Sequence, residues 1–276
     1  MPLHLNSITN DAHNTALLSY ILGPAFQNIN SGYATPDKLR FVGRSEMIDR
    51  ISGDVIGHFV YSIWSNLKEH RNEIQDLDIT LCNSNPTSVH FLERLQKSED
   101  ATDYYDAETA DSEQHFQLET VNKYAVYKDL TDTTRDVFIS AFPFELSIYD
   151  SIDAFNKHLG FKKNKPIGKT GFKTSGLSET FLSPGGILSK DYSNEVFSMV
   201  VGTVASFRDV SVDFGGVVLN FMIAQVKTAF GTIPVAIGRE VFDVKKLKVG
   251  TLVAMNADIK ADVAAPEVFR REKKQR

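Results

Sequence analysis

The stretch that decides the fold runs from Val196 to Val263: VFSMVVGTVASFRDVSVDFGGVVLNFMIAQVKTAFGTIPVAIGREVFDVKKLKVGTLVAMNADIKADV. Branched and aromatic residues dominate 196–207, 217–226 and 232–237, and such side chains suit a pleated, half-buried strand. Asp213-Phe214-Gly215-Gly216 and Phe230-Gly231 separate these segments and read as tight turns. Over 240–248, Val241, Phe242, Val244 and Leu247 fall at helical spacing, and Gly250 then introduces a last strand over 251–263. The expected order is β-β-β-α-β.

This order, with Gly202 inside a long bent first strand and a short helix before the fourth, resembles an OB-fold barrel. The segment LKVGTLVAMNADIKADV, Leu247 to Val263, is similar to the helix exit, glycine and fourth strand of OB domains of the single-stranded-DNA-binding type. One departure matters. No fifth strand is visible after Val263, where Pro266 and a charged tail follow, so the barrel is either completed from the N-terminal region or is only OB-like. The resemblance implies a binding face across the second and third strands, with loops as its rims. Lys227, Phe230 and Arg239 are candidate contacts there, whereas Phe221 alternates with Leu219 and Ile223 and is expected to point into the barrel.

Upstream of this segment lies a lysine-rich loop. Between Asp153 and Glu179 there is no acidic residue, but Lys157, Lys162, Lys163, Lys165, Lys169 and Lys173 occur, interleaved with Phe155, Phe161 and Phe172. Lysines supply charge for phosphates and aromatic rings supply faces for stacking, so Lys162, Lys163, Lys165, Lys169, Lys173 and Phe172 join the candidate ligand-binding residues. The bland alternative is a solvated loop. Ser183-Pro184-Gly185-Gly186 closes the run and suggests a domain boundary near residue 190.

The N-terminal part reads as a mixed α/β domain over 1–190. Ser45 and Glu46 precede Ile48, Ile51, Val55, Phe59, Ile63 and Leu67, whose steps of three and four predict a long helix, with Gly53 and Gly57 leaving a notch for another backbone. A short strand is expected over 78–82, then a helix over 87–97 after Asn83-Ser84-Asn85-Pro86. Residues 98–121 hold eight acids, no Lys or Arg and few aliphatics, which predicts an insertion-like loop, able to fold over the lysine run as a counter-charge. Strands over 123–128 and 136–144 and a helix from Ser151 to Leu159, ended by Gly160, complete this part.

Catalytic and metal motifs fail on inspection. Gly168-Lys169-Thr170 resembles the end of a phosphate-binding loop, but the required earlier glycine is replaced by Lys163. Lys169-Thr170-Gly171 with Ser65-Asn66-Leu67-Lys68 is similar to two short elements of penicillin-recognising enzymes, without the middle element. The seven histidines lack paired ligand spacing, Asp100 to Glu108 lacks the turn glycine of a calcium loop, and Asp213-Phe214-Gly215 has no kinase companion. No catalytic residue, metal ligand or cofactor is therefore assigned.

The single cysteine, Cys82, excludes an intramolecular disulfide and suits a reducing cytoplasm. No apolar run approaches the length of a membrane span, so no membrane partner is expected. The net charge of −5 divides unevenly, with −9 over 1–195 and +4 over 196–276. Taken together, the expectation is an α+β protein: the mixed domain over 1–190, an OB-like barrel over 191–265 and a basic tail over 266–276. The expected role is non-catalytic binding of single-stranded nucleic acid or another polyanion. The alternatives are an assembly protein that contacts a protein partner or its own copies, and an enzyme of unrecognised type in the N-terminal domain.

Overall fold

The computed structural model describes residues 29–34, 38–66, 71–96, 103–111, 114–121, 129–160, 166–167, 172–173, 176–185, 196–214 and 217–263. Among the described residues the chain forms, in order, β1 (Ile29–Ala34), β2 (Lys38–Ile48), β3 (Val55–Asn66), β4 (Arg71–Leu81), β5 (Thr87–Gln96), β6 (Asp103–Thr109), β7 (His115–Thr120) and β8 (Thr133–Tyr149). Helix α1 (Ile152–His158) follows, then β9 (Pro166–Ile167), β10 (Phe172–Lys173), β11 (Leu182–Pro184), β12 (Ser198–Phe214), β13 (Val217–Thr228), β14 (Gly231–Gly238) and β15 (Leu252–Val263). The protein is thus nearly all β, which overturns the α+β expectation and the mixed α/β N-terminal domain.

Each misread segment has a physical cause. The expected helix over Ser45 to Leu67 is the β2–β3 hairpin, turned at Asp49–Asp54, where Gly53 sits at φ +77. Ile56, Phe59 and Val60 are all buried, so β3 is apolar on both faces, and its near-continuous apolar run happens to satisfy helical spacing too. Gly57 does receive a backbone: an added Cβ would strike the carbonyl of Thr80 on β4. The expected helix over 87–97 is β5, with Val89 and Phe91 inward and His90 between them. The expected acidic loop contains β6 and β7, because Asp103, Tyr105, Ala107 and Thr109 alternate inward and Phe116 and Leu118 bury on β7. Over 240–248 the chain makes separate turns, Phe242 N–H to Gly238 C=O and Leu247 N–H to Val244 C=O, in place of a helix. The strand expected over 123–128 lies outside the described residues.

The large sheet has the order β11-β12-β13-β14-β8-β15-β7-β6-β5, with further pairings of β12 to β15 and β8 to β5. Those extra pairings close it twice. One ring runs β12-β13-β14-β8-β15 and returns to β12; the other runs β5-β6-β7-β15-β8 and returns to β5. In each ring a three-stranded antiparallel meander is followed by one parallel pairing, Val235 with Ala141 in the first ring and Thr120 with Ala261 in the second. Across the central antiparallel pair, Ala141 faces Ile259 and Ala261 faces Ile139. The two rings are therefore related by a local two-fold, with β5, β6, β7 and β8 matching β12, β13, β14 and β15, and each ring takes its fifth strand from the other.

One core fills both rings. Val89, Phe91, Tyr105, Phe116 and Leu118 of one ring belong to the same cluster as Val204, Met222, Val226, Ile233 and Val235 of the other, joined by Val137, Ile139 and Ala141 of β8 and Met255 to Val263 of β15. Helix α1, capped by the Ser151 hydroxyl accepting from Ala154 N–H at 3.2 Å, lays Phe155 against Met199, Val201, Leu252 and Ala254. A separate four-stranded sheet, β1-β2-β3-β4, packs β2 against β12 and β4 against β14 and β15.

Candidate functional site

The five strands that enclose Val226 and Ile233 place the sequence-derived candidates at different depths. Lys227 is exposed near the end of β13, level with Thr203 of β12 and Thr232 of β14. Phe230 is buried. The Thr228 hydroxyl accepts from Phe230 N–H and donates to Gly231 C=O, each at 3.1 Å, which tucks the ring into the core edge-to-face with Phe116 at 4.6 Å. It is core, with no exposed face for a ligand. Arg239 is exposed but engaged: its Nε and Nη2 donate to the two carboxylate oxygens of Asp209 at 2.8 and 2.9 Å. Phe172 and Lys173 form β10, paired with Ile167 and Pro166, while their side chains, and Lys162, Lys163, Lys165 and Lys169, lie outside the described residues.

Phe221 is buried as expected, yet it does not face the ring interior. Met222, Ala224 and Val226 line the shared core, so Phe221, Ile223 and Val210 lie on the opposite face, and that face is buried as well. Ala236, opposite Ile223 on β14, is buried too, and β4 packs against β14. The outer face of β14 thus meets the second sheet through β4, and on the same face of β13 Phe221 and Ile223 are buried.

Sequence reading missed a second group of cations at the Lys227 end. Lys245, Lys246 and Lys248 are exposed around Leu247, which is buried. The connection that carries them is fixed at both ends. Lys245 N–H donates to Asp243 Oδ1 at 3.2 Å, the Thr251 hydroxyl donates to Lys248 C=O at 2.7 Å, and Gly250 N–H donates to Val204 C=O at 2.8 Å. Since Thr203 pairs with both Lys227 and Leu252, Lys227 and the Lys248 end of the connection lie at one end of the ring, with Lys245 and Lys246 on the segment that leads there. No carboxylate of the described residues lies within ion-pair distance of any of the four. The signal was in the sequence as Lys245-Lys246-Leu247-Lys248, an apolar anchor inside a lysine run, but the helical reading of 240–248 obscured it.

The strongest electrostatic feature is structural. Lys260 on β15 is buried between Asp78 of β4, 3.0 Å away, and Glu119 of β7, with which it is in direct contact. Burial alone would push its ammonium down, but Asp78, Glu119 and Asp258 outweigh that and hold it well above the ordinary lysine range. Tyr104 beside the cluster has its phenol raised by burial and by Glu119. A second pair lies in the same β5-β6-β7-β15-β8 ring: Arg94 donates to Asp103 Oδ1 at 2.6 Å, the Tyr105 hydroxyl donates to Oδ2 at 3.3 Å, and Leu130 N–H donates to that hydroxyl at 3.3 Å. An amine this firmly protonated and enclosed cannot act as a base or nucleophile. Cys82 is exposed, and partial desolvation with the carboxylates of Asp262 and Glu46 pushes its thiol up. Among the described residues no three His, Cys, Asp or Glu side chains could hold a metal ion, and no helix is long and apolar enough to cross a membrane.

Comparison with known proteins finds no matching family model, no matching curated protein and no matching solved structure.

Proposed function

We propose that this is a non-catalytic binding protein that holds a polyanion, with single-stranded nucleic acid as the favoured class, at the lysine end of the β12-β13-β14-β8-β15 ring. The observation that carries the reading is the set Lys227, Lys245, Lys246 and Lys248, exposed and without carboxylate partners among the described residues, while the exposed Arg239 is neutralised. The strand order supports the OB reading: a meander whose third strand runs parallel to a strand that is antiparallel to the fourth, with β8 in the place of the missing fifth strand. Because Phe230 is core and Phe221 and Ile223 on the outer face of β13 are buried, recognition rests on phosphates and is indifferent to base identity. The single cysteine fits a reducing cytoplasm as the place of action.

Fluorescence anisotropy with a labelled single-stranded oligonucleotide, titrated with salt, tests this. Four phosphate contacts predict a log–log salt slope of about −3 and similar affinities for different sequences. Reversing the four lysines together (K227E, K245E, K246E, K248E) abolishes binding. No binding at low salt, or binding that survives the reversal, contradicts the proposal.

A further inference from the structure

Strand β12 changes partners along its length. From Ser198 to Thr203 it pairs with β15, and from Thr203 to Phe214 with β13. Beyond Thr203 the edge that β15 leaves is covered at two places only among the described residues. At Val204 the N–H donates to Thr251 C=O at 2.9 Å and the C=O accepts from Gly250 N–H at 2.8 Å. At Ser211 the N–H donates to Asp49 Oδ1 at 3.0 Å and the C=O accepts from Arg50 N–H at 2.7 Å. Both backbone groups of Ser211 therefore point away from β13, and in an antiparallel strand that direction alternates residue by residue. The register with β13 is unbroken from Ser206 to Phe214, so Phe207 and Asp209 point their N–H and C=O groups the same way as Ser211. None of these four groups has a hydrogen-bond partner among the described residues. Ser206, Phe207, Arg208 and Asp209 are all exposed in succession, where a strand covered on one face would alternate.

A row of unpaired backbone donors and acceptors at strand spacing is a template for a further strand. A phosphodiester backbone carries acceptors only and cannot answer the two carbonyls; an extended peptide answers all four groups. From Val204 to Ser211 is seven residues, about 23 Å when extended, which leaves room for a guest of about five residues between the two covered ends. The charges on this stretch are already matched: Arg239 donates to Asp209, and Arg208 lies 3.2 Å from Asp54. The charges beside it are not. Gly250, which covers Val204, follows Lys248 by two residues, and Lys245 and Lys246 lead into the same connection, all three exposed and without a carboxylate in ion-pair distance among the described residues. A guest on this edge thus meets unmatched positive charge at its Val204 end.

We infer that the β12 edge at Phe207 and Asp209 takes up an extended peptide segment of a partner protein, acidic at the end that reaches the Gly250 side. Main-chain hydrogen bonds to Phe207 and Asp209 hold the segment as an added strand, and Lys245, Lys246 and Lys248 select for the acids. The lysines are shared with the polyanion reading, but the edge is not, so the two are separable by experiment.

Backbone amide hydrogen exchange of the full chain, followed by NMR, tests the inference with the peptide Val-Thr-Val-Thr-Val flanked on both sides by three glutamates. The Phe207 and Asp209 amides exchange fast in the free protein and at least tenfold more slowly when the peptide saturates. The Ser206 and Arg208 amides face β13 and do not change. Reversing the three lysines (K245E, K246E, K248E) weakens peptide affinity at least tenfold. Phe207→Pro deletes an outward N–H without breaking an internal hydrogen bond, so the variant stays folded by circular dichroism and loses the peptide. Absence of peptide binding, protection elsewhere than at Phe207 and Asp209, affinity untouched by the lysine reversal, or full affinity in a folded Phe207→Pro variant overturns the inference. Protection of the two amides that grows with protein concentration in the absence of peptide also overturns it, because a second copy then occupies the edge. Failure of oligonucleotides to bind would bear on the proposed function and not on this edge.

Discussion

Replacing Lys260 by Met removes the ammonium that lies between Asp78 and Glu119 at the meeting point of β4, β7 and β15. Met matches the length of the lysine stem, so the loss is electrostatic and not a cavity. Taking one member from a buried ionic group costs about 3–5 kcal/mol, because the carboxylates stay buried and lose the ammonium that offsets their desolvation. Against a typical total of about 5–15 kcal/mol, that is a large share of the stability. At about 2 °C per kcal/mol for a chain of this size, the melting temperature falls by about 6–10 °C. Replacing all three (K260M, D78L, E119L) recovers most of the loss, since an apolar gap makes no unpaired charge. The pH dependence follows in sign. The folded-state value of Lys260 lies above the ordinary 10.5, so its contribution is fully present below that value and disappears as the pH rises through the folded one. Wild type therefore has an alkaline unfolding limb that K260M lacks. Calorimetry and urea titration across pH read all of this. A K260M variant within about 1 kcal/mol of wild type would refute the reasoning, because it would mean that the amine sits in water.

Asp49→Asn lowers stability at neutral pH by about 1.5–3 kcal/mol, the worth of hydrogen bonds to a charged group. Burial opposes the Asp49 charge, but donors from Ser211, Ser52 and Ile51 hold its carboxyl below the usual 3.8, so the difference from wild type shrinks as the pH falls through that lower value in acid titrations followed by circular dichroism. Gly202→Ala costs about 1–3 kcal/mol in urea titration, because the new methyl meets Lys227 C=O and Val226 Cγ1, both at 2.6 Å. Phe230→Ala lowers the melting temperature in keeping with a loss of about 3–5 kcal/mol and leaves oligonucleotide affinity per folded molecule unchanged, the opposite of what an aromatic ligand platform gives.

The C-terminal strands were legible because Val217 to Thr228 and Gly231 to Gly238 are rich in branched residues and are bounded by turns with clear glycine signals. Helix α1 was legible from its Ser151 cap and the glycine at 160. The N-terminal strands were not. Val55 to Asn66 contains residues buried on both faces, which erases the two-residue period, and Asp103 to Thr109 puts an acid, Asp103, on its inward face, where it pairs with Arg94 of the neighbouring strand. The fifth ring strand was sought after Val263 and is β8, more than a hundred residues upstream of β15. Ring closure through a single parallel contact, Val235 with Ala141, leaves no local trace in either segment. Of the candidate ligand residues, Lys227 stayed exposed because it follows Val226 on the outer face, whereas Phe230 was drawn inward by its turn hydrogen bonds, which a sequence does not display.

The interlocking of the two rings through β8 and β15 is the claim on which the rest stands, and cutting the chain between them tests it. A protease site placed within 186–195 separates β8 from β15 covalently while leaving both rings' strands intact. The account predicts that the cleaved protein still migrates as one particle of the uncut mass, 30.8 kDa, and melts in a single transition. Two fragments that part under native conditions, each folded and melting on its own, would contradict it.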